Sequence, residues 1–183
     1  MLEDFIYLIK SRSGFGPKSS RWKHWKAQLD LKTCQNCRTM HGKIYAIEES
    51  VSQSPPLHWY CRCEIMPMNA FAAEDCTKQG VNGAPYLLKK YGLLPEYYIT
   101  ATELQALGWK WGKAPSKYAP GMMPMMGEYR NDDGHLPSAP GRIWYEADIN
   151  YTDGRRNAQR VVWSNDGLIF VMYDHYQTFV EVV

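Results

Sequence analysis

The segment GRIWYEADINYTDGRRNAQRVVWSNDGLIFVMYDHYQTFVEV, which runs from Gly141 to Val182, decides the fold of this chain. From Ile143 onward apolar and polar residues alternate, which is the pattern of a β-strand with one buried face. Three more strand-like runs follow, near residues 160–164, 167–173 and 176–182. Asp-Gly pairs separate the first runs, and such pairs between alternating stretches are strong hairpin signals. The segment therefore predicts an antiparallel β-meander.

Two helices are predicted ahead of this meander. Pro85 is tolerated in the first turn of a helix, and Gly92 is suited to close that helix. Thr100 and Glu103 form a capping box for the second helix. Helices followed by an antiparallel meander indicate an α+β fold with the helices packed on one face of the sheet. The other face, which carries Glu146, is expected to stay open to a ligand.

The composition is that of an ordinary folded protein, with 45% hydrophobic and 22% charged residues in a chain of 183. A formal net charge of +2 is too small to indicate nucleic-acid binding by itself. No apolar run reaches the length of a membrane span, so no membrane association is expected. The first ten residues, MLEDFIYLIK, carry acids within a short apolar patch, unlike a secretory signal peptide. The sequence therefore predicts a protein without an export signal of its own.

The cysteines divide the chain into two parts. All five lie between Cys34 and Cys76, and the C-terminal part has none. The stretch around residues 70–80 is weakly patterned, which is typical of a boundary. We therefore predict a cysteine-rich segment at residues 1–72, a linker at 73–80 and a second domain at 81–183.

Four side chains in the C-terminal part suit the metal-free cleavage of RNA beside its 2′-hydroxyl. This reaction needs a base for the 2′ proton, cations for the phosphoryl oxygens and an acid for the departing 5′-oxygen. Glu146 is the candidate base, and His175 is the candidate acid because an unperturbed histidine has a pKa close to neutrality. Arg156 and Arg160 share one side of an extended chain, where each can present a guanidinium fork to a phosphate. Each residue alone has an ordinary structural explanation, so the hypothesis depends on the whole set.

The motifs around these residues resemble the barnase family of microbial guanyl-specific ribonucleases. The matching stretches are EADIN from Glu146, the arginines around Asn157, and DHYQTF from Asp174, and the resemblance reaches back to about Val81. The resemblance implies a barnase-like fold and cleavage by transesterification to a 2′,3′-cyclic phosphate without a catalytic cofactor. It assigns Glu146 as base, Arg156 and Arg160 as phosphate clamp and His175 as acid, with Tyr176 beside the acid at the substrate.

A loop at residues 130–137 resembles the guanine-binding loop of the same family. Asp133 occupies the position of the carboxylate that reads the guanine edge, and Asn131 lies in the same loop. An ordinary Asn/Asp/Gly turn is the alternative interpretation. The loop predicts a preference for cleavage on the 3′ side of guanosine.

Two departures from the family pattern bear on activity. Ala101 stands where the family has a lysine that supports the transition-state phosphate, and Asp132 stands where it has an arginine in the guanine loop. Loss of one preorganised donor lowers a rate by about 10²–10³. Either the enzyme is weakened, or an alanine was introduced to silence a toxic one. A structural or RNA-binding module with a degenerate nuclease fold is the alternative hypothesis.

The N-terminal cysteines have the spacing of a zinc site. A C-x-x-C pair is followed, after 20 intervening residues, by a cluster in which His58 precedes two further cysteines. The most economical ligand set is Cys34, Cys37, Cys61 and Cys63. His58 is an alternative fourth ligand, His41 is a weaker one, and Cys76 is left over as a free thiol. Four protein ligands make such a zinc structural, and two disulfides are the competing interpretation.

Residues 21–68 also resemble the C-terminal piece of phage head-morphogenesis (minor head) proteins. The matching motifs include Thr33-Cys34, His41-Gly42-Lys43 and the stretch from Pro55 to Cys63. This resemblance implies a phage-derived or polymorphic-toxin product, delivered by a phage or a secretion system and acting on RNA in a bacterial cytoplasm. The ribonuclease resemblance also implies a barstar-like inhibitor or immunity protein as partner.

Overall fold

A computed structural model describes residues 18–183, so the predictions for MLEDFIYLIK fall outside the described residues. Within them, a nine-stranded sheet is accompanied by a few short helices. The strands are β1 (Lys18–Ala27), β2 (Ile44–Ala46), β3 (Cys63–Phe71), β4 (Tyr98–Thr100), β5 (Met123–Tyr129), β6 (Trp144–Asp148), β7 (Arg160–Ser164), β8 (Ile169–Met172) and β9 (Phe179–Val182). The α-helices are α1 (Gln35–Met40), α2 (Ala84–Tyr91) and α3 (Ala101–Ala106), with 3-10 turns at Ala73–Asp75, Gly80–Asn82 and Pro115–Lys117. None of the helices in this part of the chain is long and apolar enough to cross a membrane.

The strand order is β2-β1-β3-β9-β8-β7-β6-β5-β4. The meander from β6 to β9 is antiparallel throughout, which confirms the hairpins predicted from the sequence. The prediction of a wholly antiparallel sheet was wrong, because β4 pairs with β5 and β3 pairs with β9 in parallel. Both parallel pairs join strands that are distant in sequence, and no local pattern of residues indicates such a pairing. The fold is therefore α+β with one large mixed sheet.

The two predicted helices form where their capping residues stand. α2 follows Gly83, has Pro85 in its first turn and ends at Gly92, whose φ of 70° is left-handed. α3 begins after Thr100, whose hydroxyl accepts a hydrogen bond from the Glu103 amide, while the Glu103 carboxylate accepts one from the Thr100 amide. These contacts satisfy backbone amides that a helix start leaves unpaired.

One face of the sheet packs against α2. Leu88 of this helix lies in a core with Val161, Ile169 and Val171 from the central strands, and all four are buried. Ala147 of β6 belongs to the same core, as its position in the alternating pattern predicts. The helix is thus held by apolar burial on the side of the sheet that faces away from Glu146.

The opposite face is only partly open. Near its centre Trp144 and Phe170 pack with Ile44 of β2, Met68 of β3 and Leu136 from the loop before β6. The expectation that this whole face is open was therefore wrong at the Trp144 end, because the N-terminal segment covers it. The open part lies farther along β6, towards Glu146 and Asp148.

The two parts of the chain share a buried boundary. Ala70 and Phe71 of β3 pair with the last strand, and the Glu181 side chain of that strand is 3% exposed. Its carboxylate accepts hydrogen bonds from four groups of β1: Ser20 Oγ, the Arg21 amide, Arg21 Nε and Trp22 Nε1. The predicted linker at 73–80 contains the 3-10 turn Ala73–Asp75 and only the first residue of the turn Gly80–Asn82, and it places Cys76 in the core on the α2 side of the sheet.

We expect Glu181→Ala to lower the free energy of unfolding by about 1–3 kcal/mol, because the buried hydroxyl and indole donors of β1 lose their acceptor. Chemical denaturation measures the change. Glu64→Ala is the matched control, since the Lys26–Glu64 ion pair on the neighbouring strands is half exposed and such pairs contribute less than about 1 kcal/mol. Equal effects of the two substitutions would contradict the structural role of Glu181.

Candidate active site and cysteine cluster

A buried carboxylate organises the two arginines predicted to hold phosphate. Asp148 is 0% exposed, and Arg156 binds it through Nε at 2.9 Å and Nη2 at 2.6 Å. Arg160 Nε lies 3.1 Å from the same carboxylate, without the alignment of a hydrogen bond. Arg160 also donates through Nη1 to the Gln159 carbonyl, at 2.7 Å. Both guanidiniums are therefore fixed in orientation before any ligand binds.

The environment keeps Arg156 charged. Burial alone lowers its pKa, but the hydrogen bonds and charge of Asp148, with a further contribution from Glu146, raise the pKa above its ordinary value. Arg156 keeps 18% of its side chain exposed, whereas Arg160 keeps 4%. Arg156 is thus the more accessible of the two cations.

Glu146 lies in the middle of β6 and is half-buried. Its Oε2 accepts a hydrogen bond from the Tyr176 hydroxyl at 2.6 Å. Burial, together with this bond and the charge of Glu146, raises the pKa of Tyr176 well above its usual range, so the phenol stays protonated and donates. Tyr129 stacks on Tyr176 with ring centroids 5.6 Å apart and planes within 5°. The carboxylate is held by an aromatic pair on one side.

His175 stands on a turn with unusual backbone geometry. His175 and Tyr176 have φ values of 57° and 67°, which are uncommon outside glycine and cluster at functional sites. The Asp174 carboxylate holds the turn by accepting from the Gln177 and Thr178 amides. The His175 amide donates to the Ala158 carbonyl at 3.1 Å, which ties the turn to the arginine loop. The imidazole itself is exposed.

Three of the predicted site residues meet at one cleft. The cleft has a volume of about 360 Å³, and Arg156, Arg160 and His175 lie on its wall. Glu146 is connected to this wall through Asp148, two residues along the strand, and through Tyr176, which adjoins His175. The cleft therefore offers two fixed cations and an imidazole around a space that a phosphodiester can enter. The Glu146 carboxylate lies outside this lining and reaches it through these two neighbours.

The candidate base-recognition loop is held by its own side chain. Asn131 donates to the Leu136 carbonyl at 2.9 Å and accepts from the Leu136 amide at 3.0 Å. Asn131 thereby shapes the loop, while Asp133 is exposed. The pKa of Tyr129 is raised to about 12 by burial, then by the charges of Asp133 and Glu146. The charges of Asp133 and Glu146 therefore both act on the Tyr129 hydroxyl.

The two departures from the family pattern occupy different positions. Ala101 is the first residue of α3, directly after β4. Thr100 at the end of β4 pairs with Met125 of β5, which pairs in turn with Ala147 of β6. Thr100 and Ala147 are therefore two strand spacings, about 10 Å, apart. Asp132 is exposed and pairs with Arg130 at 3.4 Å. The start of α3 thus lies across β5 from the strand that carries Glu146 and Asp148.

The predicted metal ligands form two overlapping clusters. Cys34, Cys37 and His58 form one, and Cys37, Cys61 and Cys63 form the other, each with its donor atoms within 4.8 Å of one another. His58 Nε2 lies 3.2 Å from Cys34 Sγ and 3.3 Å from Cys37 Sγ. The ring of His41 instead accepts a hydrogen bond from the Ala27 amide at 3.0 Å. The cluster could hold a metal ion.

The sulfur distances fit a metal better than a disulfide. Cys37 Sγ and Cys61 Sγ are 3.7 Å apart, against about 2.05 Å in a disulfide and about 3.8 Å between two thiolates on tetrahedral zinc with 2.3 Å bonds. Hydrogen bonds from Cys37 lower the pKa of Cys34. Burial raises the pKa of Cys61, but backbone hydrogen bonds from Leu57 and Cys63 bring it down to about 7. Cys76 is free and buried, apart from this cluster.

Sequence reasoning missed Tyr129 and Trp111 at the site. Tyr129 is the last residue of β5, and a bulge shifts the β5–β6 register between Met125 and Gly127, so no alternating pattern marks it. Trp111 lines the cleft from the loop after α3, and a tryptophan in a Gly/Lys loop carries no local signal. The lysines and tryptophans of that loop give it a charged and aromatic composition, which was the only feature of the sequence that indicated a binding surface there.

Comparisons with known proteins agree with both resemblances. A family model described as ribonuclease matches residues 87–183, and one described as Phage Mu protein F like protein matches residues 14–66. A ribonuclease from Heyndrickxia coagulans is 47% identical over 100 residues, which are 54% of this chain and 91% of that protein. Ribonucleases from Bacillus intermedius and Bacillus pumilus are also 47% identical over 100 residues, and the chain spans 61% of their length. The ribonuclease match covers more than half of the chain and contains every residue of the cleft. The chain therefore belongs to the ribonuclease family.

Proposed function

We propose that the protein is a metal-independent endoribonuclease that cleaves RNA on the 3′ side of guanosine. The observation that carries the proposal is the meeting of Arg156, Arg160 and His175 at one cleft beside Glu146. Membership of the ribonuclease family supports RNA as the substrate. The reaction is a transesterification that leaves a 2′,3′-cyclic phosphate.

Each residue has a defined part in this reaction. Glu146 removes the 2′ proton, and the 2′-oxygen then attacks phosphorus to close the cyclic phosphate. The bond from phosphorus to the 5′-oxygen breaks, and His175 donates its proton to that oxygen. Arg156 and Arg160 stabilise the negative charge that grows on the two non-bridging oxygens. The Tyr176 hydroxyl orients the Glu146 carboxylate by the hydrogen bond already described.

Guanine preference is assigned to the loop at 130–137. Asp133 accepts from N1–H and N2–H₂ of guanine, a pair of donors that adenine lacks. Asn131 keeps the loop in shape through its two bonds to Leu136. The stacked Tyr129 and Tyr176 rings supply an aromatic surface beside Asp133, where a base can pack.

A labelled RNA with a single guanosine tests this function. We expect one cut 3′ to the guanosine, a cyclic phosphate end, and a loss of about 10²–10⁴ in rate in Glu146→Ala and in His175→Ala, the usual contribution of a general acid or base. Glu96→Ala, which removes an exposed glutamate outside the cleft, is the control. Intact RNA that still binds the protein would support the alternative, a phage-head or delivery-associated RNA-binding module with a degenerate nuclease fold.

We expect Ala101→Lys to raise the cleavage rate at least about tenfold, because it restores one cationic donor near the transition-state phosphate. Single-turnover kinetics on the same RNA measures the change. Ala106→Lys adds the same charge at the far end of α3 and should leave the rate within about twofold. An unchanged rate in Ala101→Lys would mean that the alanine does not limit activity.

A structural zinc ion in the N-terminal segment is the second part of the proposal. Cys34, Cys37 and Cys61 are proposed as ligands, with Cys63 as the fourth and His58 as its alternative. The distances of His58 from two sulfurs favour the histidine. A metal held by four protein ligands has no open position, so it stabilises the segment and takes no part in catalysis.

Native mass spectrometry and thermal unfolding test the metal. We expect one zinc per chain, its loss in Cys37→Ser, and a lower Tm after chelation, because binding energy at such a site contributes to folding. Cys76→Ala should keep the metal, and His58→Ala compared with Cys63→Ser identifies the fourth ligand. Protein that carries no zinc and has its thiols paired two by two would establish disulfides instead.

The two family matches support a proposal about the biological setting. The Phage Mu protein F like segment at its N-terminus suits a toxin delivered by a phage or a secretion system into a bacterial cytoplasm. A barstar-like inhibitor or immunity protein is the partner, and its acidic side chains would face the Arg156/Arg160 cleft. The proposed division is residues 1–72 for packaging or delivery and 81–183 for the ribonuclease.

A further inference from the structure

Residues 42–44 of the N-terminal segment lie between the base-recognition loop and the turn that carries His175. A Cβ on Gly42 would lie 3.1 Å from the Gln177 carbonyl oxygen of the turn and 3.7 Å from the His135 ring of the loop. Gly42 therefore lies against both parts of the site at once. We call residues 42–44 the bridging segment. It lies outside the ribonuclease match, which begins at residue 87.

Ile44 connects the bridging segment to the base-recognition loop. It is the first residue of β2, which is an edge strand of the sheet. Its amide donates to the His135 carbonyl at 2.8 Å, so the pairing of β2 with β1 does not use this amide. Its side chain is buried in the same core as Leu136. Ile44 thus gives the loop one polar and one apolar attachment.

These attachments extend to the residue that is proposed to read guanine. Leu136 is bonded through its amide and its carbonyl to the side chain of Asn131, across the loop. Asp133 lies between these two residues in the chain, and its own side chain is exposed. The position of Asp133 therefore depends on the two ends of the loop, one of which is held by Ile44.

The turn that carries His175 has a strained backbone that its surroundings hold in place. His175 and Tyr176 have φ values of 57° and 67°, and such conformations persist only where the surrounding structure determines them. Asp174 accepts a hydrogen bond from the Gln177 amide, and Gly42 lies against the Gln177 carbonyl. Gly42 is buried with a φ of 88°, so a larger residue there would be strained and would displace the turn.

We propose that the bridging segment positions the ribonuclease site, Ile44 through the base-recognition loop and Gly42 through the turn that carries His175, and this rests on the proposed function. Both are positioning residues, because they act through the loop and the turn and do not touch the RNA. Ile44 affects the discrimination between guanine and other bases. Gly42 affects the rate at which His175 donates its proton. The N-terminal segment is therefore part of the framework of the active site.

The dinucleotides GpA and ApA test the role of Ile44, since they differ in the base before the cleaved bond. Ile44→Pro removes the amide donor at the first residue of a strand, where proline is tolerated. Ile44→Ala is the matched control, because it also shortens the side chain but keeps the amide. We expect the ratio of kcat/KM for GpA to that for ApA to be about 2- to 12-fold lower in Ile44→Pro than in Ile44→Ala, the fold-change that corresponds to one hydrogen bond. Equal ratios in the two variants would overturn this role.

Gly42→Ala tests the role of the turn. We expect kcat for GpA to fall by about 10- to 100-fold with KM within about threefold, because displacement of a catalytic group by about 1 Å has an effect of this size. Gly92→Ala is the matched control, since Gly92 at the end of α2 has a φ of 70° and open space at its Cβ position. A purely structural effect would lower the Tm of both variants and leave kcat of the folded enzyme unchanged. Equal kcat values in the two variants would therefore refute the role of Gly42.

The two tests use different residues, so a variant that circular dichroism shows to be unfolded leaves the other test decisive. Failure of the proposed function gives a different result, since the wild-type protein would then cleave neither dinucleotide. Calorimetry with d(GpA) and d(ApA), which lack the 2′-hydroxyl and are not cleaved, then tests Ile44 by binding alone. A weaker preference for d(GpA) in Ile44→Pro than in Ile44→Ala supports the positioning role, and equal preferences contradict it.

Discussion

A single buried carboxylate sets the geometry of the cleft. Asp148 is shared by Arg156 and Arg160, so one negative charge faces two positive charges in a space from which water is largely excluded. The trio keeps a formal charge of +1, and a buried excess of positive charge is stabilised by an anion. The conformational entropy of the two guanidiniums is lost during folding and not on binding. A phosphate therefore encounters hydrogen-bond donors that are already oriented. Strand β6 carries both this carboxylate and Glu146, which fixes the base relative to the clamp.

The local features of the sequence predicted local structure well. The Asp-Gly turns, the Thr100–Glu103 capping box and the Gly92 helix end were all found, because each depends on residues within one turn of one another. The alternation from Ile143 also placed Ala147 in the core. The prediction of strand pairing was wrong where it involves distant parts of the sequence. The parallel pairing of β3 with β9 joins residues more than a hundred positions apart. Periodicity shows which face of a strand is buried and gives no information on its neighbour.

In the candidate site, too, local motifs were predicted from the sequence, whereas features that depend on the whole fold were not. Its charged residues were found from their motifs, and the structure brings Arg156, Arg160 and His175 to one cleft. The near-complete burial of Arg160 was not foreseen, because a sequence shows the spacing of two arginines and not their accessibility. Trp111 was missed for a related reason: only the fold of the loop after α3 brings this ring to the cleft that His175 also lines.

The N-terminal segment contributes to the surroundings of the cleft as well as to its own core. The Ile44 amide of β2 donates to the His135 carbonyl at 2.8 Å, beside the base-recognition loop. Gly42 approaches the Gln177 carbonyl so closely that a Cβ would lie 3.1 Å from it, and its φ of 88° suits glycine. The N-terminal segment therefore contacts both the loop at 130–137 and the turn that carries His175.

The pairing of β3 with β9 has a consequence for the order of assembly. Strand β3 leaves the ribosome before its partner β9, which lies more than a hundred residues later in the chain. Contacts of such large sequence separation form slowly, and unpaired strand edges are prone to aggregate until they close. The sheet can be completed only after β9 has been synthesised, so a chain that stops before this strand leaves the edge of β3 exposed.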